Sequence, residues 1–306
     1  MVFLIDQKLR NPQDFAAFEP SNQCEKKILP PINYRKFFLP WKALFAMSRP
    51  LLVMTLLLCL GLPTLSWGTK DVPQKGSADA NEAMSPAAQN ALGVRFVTGE
   101  DVEQSYDKAR SWWLRASKRG HAGAQYNLGQ MFATGTGVDR NDVEAARWYQ
   151  KAADQGDALA QFNLGLLYDS GSGVEVNPVK ASELFRQAAL HGLADAQNSL
   201  GRMYEMGRGV EQNIEEAKRW YRMAASQGHV FAQSNLGFQL YAGSTSPDDL
   251  IEAYAWLSLA AHKNNAIAKA HLAELTEKIS KAQIKAGRSM ATELGSSIAK
   301  RKNQKF

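Results

Sequence analysis

From Ser85 to Glu274 the apolar and polar positions of the chain return on a fixed beat. Leu-Gly stands at Leu92-Gly93, Leu128-Gly129, Leu164-Gly165, Leu200-Gly201 and Leu236-Gly237, each step 36 residues long, and a sixth step reaches Leu272-Ala273. Alanine precedes each leucine by four positions (Ala88, Ala124, Ala160, Ala196, Ala232, Ala268), and glutamine follows the first five of those alanines, from Gln89 to Gln233. Within one period Ala124, Leu128 and Phe132 fall four apart, which places them on one face of a helix. A second apolar set comes later in each period. It reads Ala109, Ala145, Ala181, Ala217, Ala253, then a bulky residue at Trp112, Trp148, Leu184, Trp220 and Trp256. Each period therefore predicts two helices.

Punctuation supports the pair. Gly135-Thr-Gly137-Val138 recurs at Gly171 to Val174 and Gly207 to Val210, where glycine can take positive φ and reverse the chain. The second helix is expected to open at Ser105, Asn141, Asn177, Asn213 and Asp249, good N-cap types. Glu144, Glu216 and Glu252 follow three residues on as capping boxes, and Pro178 suits a first helical position. That helix should end near Gly120, Gly156, Gly192 and Gly228. Glycine inside the first helix costs about 1 kcal/mol against alanine at each occurrence. Close approach of a tryptophan or tyrosine from the second helix is the expected compensation. Glutamines such as Gln125 are expected to hydrogen-bond between units, and Asn127, Asn163 and Asn235 to be architectural.

The pattern A-Q-x-N-L-G-x-x-Y-x-x-G-x-G-V-x-x-N-x-x-x-A-x-x-W-Y-x-x-A-A-x-x-G resembles the Sel1-like repeat family, relatives of tetratricopeptide repeats. The closing Ile251 to Ala261 resembles the last repeat of bacterial secreted members. The resemblance implies an all-α fold, a right-handed α/α solenoid of 36-residue helix–turn–helix units, and a role in protein–protein interaction. Departures fall at both ends: Asp101 replaces the second loop glycine of the first unit, Ser244-Thr-Ser-Pro247 replaces the loop of the fifth, and Asn264 replaces a closing glycine. About five repeats are expected over 85–276. Ile279, Ala282, Ala286, Met290, Leu294 and Ile298 then mark a capping helix over 277–299, weakened by Gly287 and Gly295, with a basic tail at 300–306.

Upstream lies Leu51 to Leu65, fifteen residues that are almost all apolar: too short for a comfortable membrane span, suited to the core of a signal peptide. Arg49 precedes it, and Ser66-Trp-Gly68 offers a cleavage site. A signal peptide over 47–68 and a flexible leader over 69–84 are expected. Residues 1–46 form an N-terminal extension, read as untranslated with Met47 as the true start; the rival is a cytoplasmic tail on an uncleaved anchor. The expected location is periplasmic or secreted, the alternative an inner-membrane signal anchor. Both cysteines, Cys24 and Cys59, precede the expected cut.

Charge then changes the picture. The chain carries +6, but residues 1–68 hold eight basic and four acidic residues, and the tail from Lys278 holds eight basic against Glu293. The stretch 69–277 holds 20 basic and 25 acidic residues, so the basic character belongs to the two ends. No nucleic acid is expected as partner, and membrane contact only through the signal segment or weakly through the basic tail.

Chemistry is sparse in the sequence. P-loop, H-E-x-x-H and G-x-S-x-G motifs are absent. S-x-x-K occurs at Ser105–Lys108 and Ser297–Lys300 without K-T-G or S-D-N, and Ser105 falls in the N-cap phase. His121 and His229 share the phase of Ser85 and Asp157 at the start of a first helix and read as helix-start residues rather than ligands. No catalytic residue, cofactor or metal ligand is assigned.

A position identical in every unit serves the frame; one that varies while facing outward is free to bind. Two phases of the first helix vary, one through Asn90, Tyr126, Phe162, Asn198 and Ser234, the other through Val94, Gln130, Leu166, Arg202 and Phe238. The resemblance implies that first helices line the concave face. Tyr126, Phe162, Asn198, Arg202 and Phe238 are therefore the candidate partner groove; packing between repeats is the competing use. The expected function is an exported scaffold that binds an unidentified protein or peptide as adaptor or regulator in a cell-envelope process. A hydrolase, β-lactamase-like or directed at cell wall, is the alternative.

Overall fold

The structure is a computed structural model and describes residues 84–244 and 246–304. The extension, the signal segment and the leader before Met84 lie outside the described residues. Twelve helices follow one another among the described residues, with no strand: α1 (Pro86–Thr98), α2 (Tyr106–Lys118), α3 (Ala122–Thr134), α4 (Asp142–Ala153), α5 (Ala158–Ser170), α6 (Pro178–Leu190), α7 (Ala194–Met206), α8 (Ile214–Ser226), α9 (Val230–Ala242), α10 (Pro247–His262), α11 (Ala266–Lys278) and α12 (Lys281–Asn303). Odd-numbered helices up to α11 are the first helices of their units.

The second helices begin where the polar phase predicts. Asn141, Asn177 and Asn213 each accept the backbone N–H three residues on at 3.0 Å, and Ser105 does so at 3.4 Å. The glutamates of the expected capping boxes turn elsewhere. Glu144 pairs with Arg147 at 2.7 Å and Glu216 with Arg219, one turn along the same helix. Glu252 reaches back to Arg222 on α8 at 3.1 Å and accepts Trp256 Nε1–H at 3.0 Å. The start of α10 also moves. Gly243 has φ of -102° rather than a left-handed value. The chain then enters the helix with Ser246 as N-cap, Pro247 in the first turn and Asp249 closing a reciprocal capping box. At the other departures the backbone holds the repeat's shape without glycine, since Asp101 (φ 57°) and Asn264 (φ 63°) both take the left-handed turn.

The glycine after the leucine in each first helix receives a side chain from its own second helix. A Cβ at Gly129 would lie 2.5 Å from the Tyr149 ring, at Gly165 2.7 Å from Phe185, and at Gly201 2.7 Å from Tyr221. Trp113 and Leu257 fill the same place over Gly93 and Gly237. The neighbouring bulky phase looks the other way. Trp148, Leu184, Trp220 and Trp256 join the apolar cluster shared with the preceding unit. Two adjacent residues of each second helix thus close the unit and join it to the last one.

Gln125, Gln161, Gln197 and Gln233, all buried, donate to the carbonyls of Ser117, Ala153, Ala189 and Ala225 in the preceding second helix, at 3.1–3.4 Å. Buried amides need such partners, so the glutamine phase acts as a rung between units. Gln155 and Gln227 donate back to Gln125 and Gln197 at 2.6 and 2.8 Å. His191 occupies the equivalent place in the third unit, and Gln161 Oε1 there is buried with no hydrogen-bond partner.

After α11, Ser280 and Gln283 cap α12 reciprocally at 3.0 and 3.2 Å. The last helix packs on α10, with Ile284, Leu294 and Ile298 against the final core cluster. Gly287, expected to weaken it, is where α12 meets the Tyr254 ring, 2.6 Å from an added Cβ.

Candidate interaction surface

First helices touch one another across units, α3 against α5 and α9 against α11. Side chains tie them together. Asn127 Nδ2 donates to Asn90 Oδ1 at 3.0 Å, and Asn235 Nδ2 to Asn198 Oδ1 at 3.1 Å. Between these, the Asn163 side chain lies close enough to the Tyr126 hydroxyl to favour its ionised form, against the larger effect of burial. The asparagines are thus architectural rungs, and the row of first helices forms the tighter, inner side of the stack.

The five groove residues lie along this row. Tyr126 on α3, Phe162 on α5 and Asn198 on α7 are half-buried and share one phase. Arg202 on α7 is exposed and Phe238 on α9 half-buried, in the second phase. The two aromatic residues of the first phase are supported from beneath by their own units. The Tyr126 ring sits 5.9 Å from Tyr149, and Phe162 5.7 Å from Phe185. Phe238 leans on His271 of α11 at 4.6 Å. Packing and exposure coexist here: Tyr126 and Phe162 rest on core aromatics, Phe238 on the half-buried His271, and each keeps another part open.

Electrostatics divide the row. On α1 and α3 its outward positions are uncharged, Asn90, Tyr126 and Gln130 among them. Carboxylates appear from Asp169 at the end of α5 onward, each engaged, Asp169 with Arg208 Nε at 3.1 Å. Asp195 faces His229 Nε2 at 3.2 Å, and Glu205 accepts the Tyr221 hydroxyl and Gln239 Nε2, the latter at 2.6 Å. Burial, with the Glu205 carboxylate beside it, pushes the Tyr221 hydroxyl well above its ordinary range. Burial also raises Tyr126. Glu274 is held below the usual carboxylate range by Lys278 and then by the Tyr241 hydroxyl. Among the described residues, no carboxylate lies within ion-pair distance of Arg202. It is the unmatched cation of the inner face.

Sequence reasoning missed three exposed apolar residues on the same row: Leu159, Phe231 and Ile267, five positions before the leucine in their units. The signal was available, since helical spacing puts that phase on the face of the other two. His121 and His229 act as helix starts, their Nδ1 atoms accepting Ala124 and Ala232 N–H at 3.1 Å. Among the described residues no three His, Cys, Asp or Glu side chains gather to hold a metal, and no helix is long and apolar enough to cross a membrane. Ser105 spends its hydroxyl capping α2.

Tandem helix pairs joined by identical rungs define an all-helical solenoid. The chain belongs to the Sel1 repeat family, which it matches over residues 86–121, 122–157, 158–193, 194–229 and 230–265. Among solved structures it is similar to a Sel1 repeat protein from Oxalobacter formigenes, at 34% identity and a TM-score of 0.59, covering 70% of this chain and 87% of that one. It is also similar to a protective antigen present in uropathogenic Escherichia coli strains that displays the same fold, at 30% identity and a TM-score of 0.62. That likeness covers 71% of this chain but only 46% of the antigen's length. No curated protein matches the chain. Sel1 repeat proteins are in general non-enzymatic scaffolds for protein–protein interaction.

Proposed function

We propose that the chain is an exported scaffold whose inner face binds a partner protein through an extended peptide, acting as adaptor or regulator in a cell-envelope process. The observation that carries this is the contrast within one helix face. The glutamine, asparagine and glycine positions of the first helix are spent on neighbours. Tyr126, Phe162, Arg202 and Phe238 instead change from unit to unit and keep open area, in residue types that dominate binding energy at interfaces. The unmatched Arg202 guanidinium, with Leu166 and Phe238 in its phase on the flanking first helices, suits a carboxylate between apolar side chains.

The test is capture from envelope extract by residues 69–306, compared with a Tyr126→Ala/Phe162→Ala chain of unchanged helical circular dichroism. Loss of the captured protein supports the face; full retention by the double variant discards it. Export is tested separately by the intact mass of the native protein. A chain beginning at Thr69 supports cleavage after Gly68, and a retained Met1 overturns it.

A further inference from the structure

The junctions between units differ in how closely backbones meet. At the interior junctions the second loop glycine rests on the opening turn of the preceding second helix. A Cβ at Gly173 would lie 2.2 Å from the Asp142 carbonyl carbon, and one at Gly209 would lie 2.1 Å from the Pro178 carbonyl oxygen. At the first junction the equivalent Gly137 meets a side chain instead, Tyr106 Cβ at 2.2 Å. One turn along, the interior helices carry buried small residues, Ala146 and Ser182, and Ser182 Oγ donates to the Gly209 carbonyl at 3.2 Å. The equivalent residue on α2 is Arg110. Tyr106 and Arg110 thus stand at the first junction where the interior junctions have a backbone contact and a small side chain.

A cleft of about 490 Å³ lies between α2 and α4. Its floor is Phe132 of α3, with the fully buried Leu128 beneath, and its walls include Leu114 and Trp148. The rim on the α2 side is basic. Arg110, Arg115 and Lys118 line it against Asp107, on a 69–277 stretch in which acids outnumber bases 25 to 20. Asp107 is taken by Arg110 at 3.1 Å, and Glu144 on the opposite rim by Arg147 at 2.7 Å. Arg115 stacks over Trp112 at 4.8 Å. Among the described residues neither Arg115 nor Lys118 has a carboxylate within ion-pair distance.

We propose that this cleft is a second binding site, separate from the inner face, for an acidic segment of a partner protein carrying one bulky apolar anchor. The anchor covers Phe132 between Leu114 and Trp148, and the carboxylates meet Arg115 and Lys118. An apolar floor under two uncompensated cations matches that composition and leaves a purely anionic chain without use for the floor.

The experiment uses the full chain and a fluorescein-labelled synthetic peptide alternating glutamate with phenylalanine and leucine, followed by anisotropy at low salt. Binding is expected to fall about tenfold with Arg115→Glu/Lys118→Glu, whose side chains are exposed and leave the fold intact, and to weaken as salt rises. Leu114→Asp, at the apolar wall, should weaken it as well. Phe162→Ala/Phe238→Ala should leave it unchanged, and the counterpart peptide with lysine for glutamate should not bind. The proposal is overturned by equal affinity in the charge-reversed chain, by loss in the inner-face variant alone, or by no binding at millimolar peptide. Sedimentation showing a dimer that Leu114→Asp dissociates would also overturn it, by giving the cleft to a second copy.

Discussion

The joint inside a middle unit and the joint under the last helix use one device in opposite senses. Inside the third unit the first helix supplies Gly165 and the second supplies the Phe185 ring. At the C-terminal end the ring belongs to the repeat, as Tyr254, and the glycine to the cap, as Gly287. Leu257 meanwhile takes the aromatic place over Gly237. Close approach of two helices here pairs a residue without a Cβ with one bulky side chain, aromatic at most joints and Leu257 at the fifth unit, and the order of the two is immaterial. The conformational cost of a helical glycine is offset by the contact it permits. The last helix is therefore docked as firmly in kind as any unit, and its glycine is a contact rather than a flaw.

The largest expected effect is Gly165→Leu. Four side-chain carbons would have to share the space of the Phe185 ring, and overpacking of this sort costs about 3 kcal/mol. An unchanged urea midpoint would show that the ring does not need the glycine. Gly287→Leu should cost about 1–2 kcal/mol and act locally, speeding amide exchange in α12 and α10 while α5 and α6 stay protected. Uniform loss of protection along the array would break the analogy between cap and unit. In the opposite direction, His191→Gln should restore the missing rung to Gln161 and stabilise the chain by about 1 kcal/mol. A lower melting temperature would mean that the orphaned oxygen is not what that position lacks.

Two titrations are the finest probes. Tyr221 holds its proton far above the ordinary value of 10.0 in the folded chain. The unfolded chain therefore binds fewer protons above about pH 10, so this stability is complete below that pH and is lost as pH rises beyond it. Tyrosinate absorbance should show Tyr221 and Tyr149 ionising only as the helices melt, and early ionisation would contradict their burial. Glu274 moves the other way. Its contribution is present above the ordinary carboxylate value of 4.5 and fades as pH falls through its lowered one. It lies at the surface, so the effect is read as a midpoint by NMR, which Lys278→Ala should return toward 4.5.

The frame was legible because every unit repeats it. The leucine, alanine, glutamine and N-cap phases predict both helices of each unit, and even the histidines at helix starts follow from their phase. What escaped depends on long side chains choosing between nearby partners. Glu144 and Glu216 prefer an arginine one turn away to the backbone N–H of a box. The fifth loop, free of the positive-φ glycine, starts α10 at Ser246 rather than Asp249. The cleft was hidden for a related reason. Tyr106 and Arg110 look like ordinary variation until the loop packed against them is seen to need a smaller neighbour. The proposed groove residues were chosen by their variability, and Leu159 and Phe231 were passed over although they lie on the same face.

The glutamine rungs carry a consequence for how such a chain can change in length. Each unit presents to the next the same carbonyl, and the next meets it with the same donating amide, so a whole unit can leave without altering either surface at the cut. Removing residues 158–193 would join Asp157 to Ala194, giving α7 the carboxylate cap that Leu193 does not supply. Phe162 would be lost and Tyr126 would come beside Asn198. The reach of the inner face is thus a countable quantity, set in whole units by duplication and loss, while the rules for joining one unit to another stay fixed.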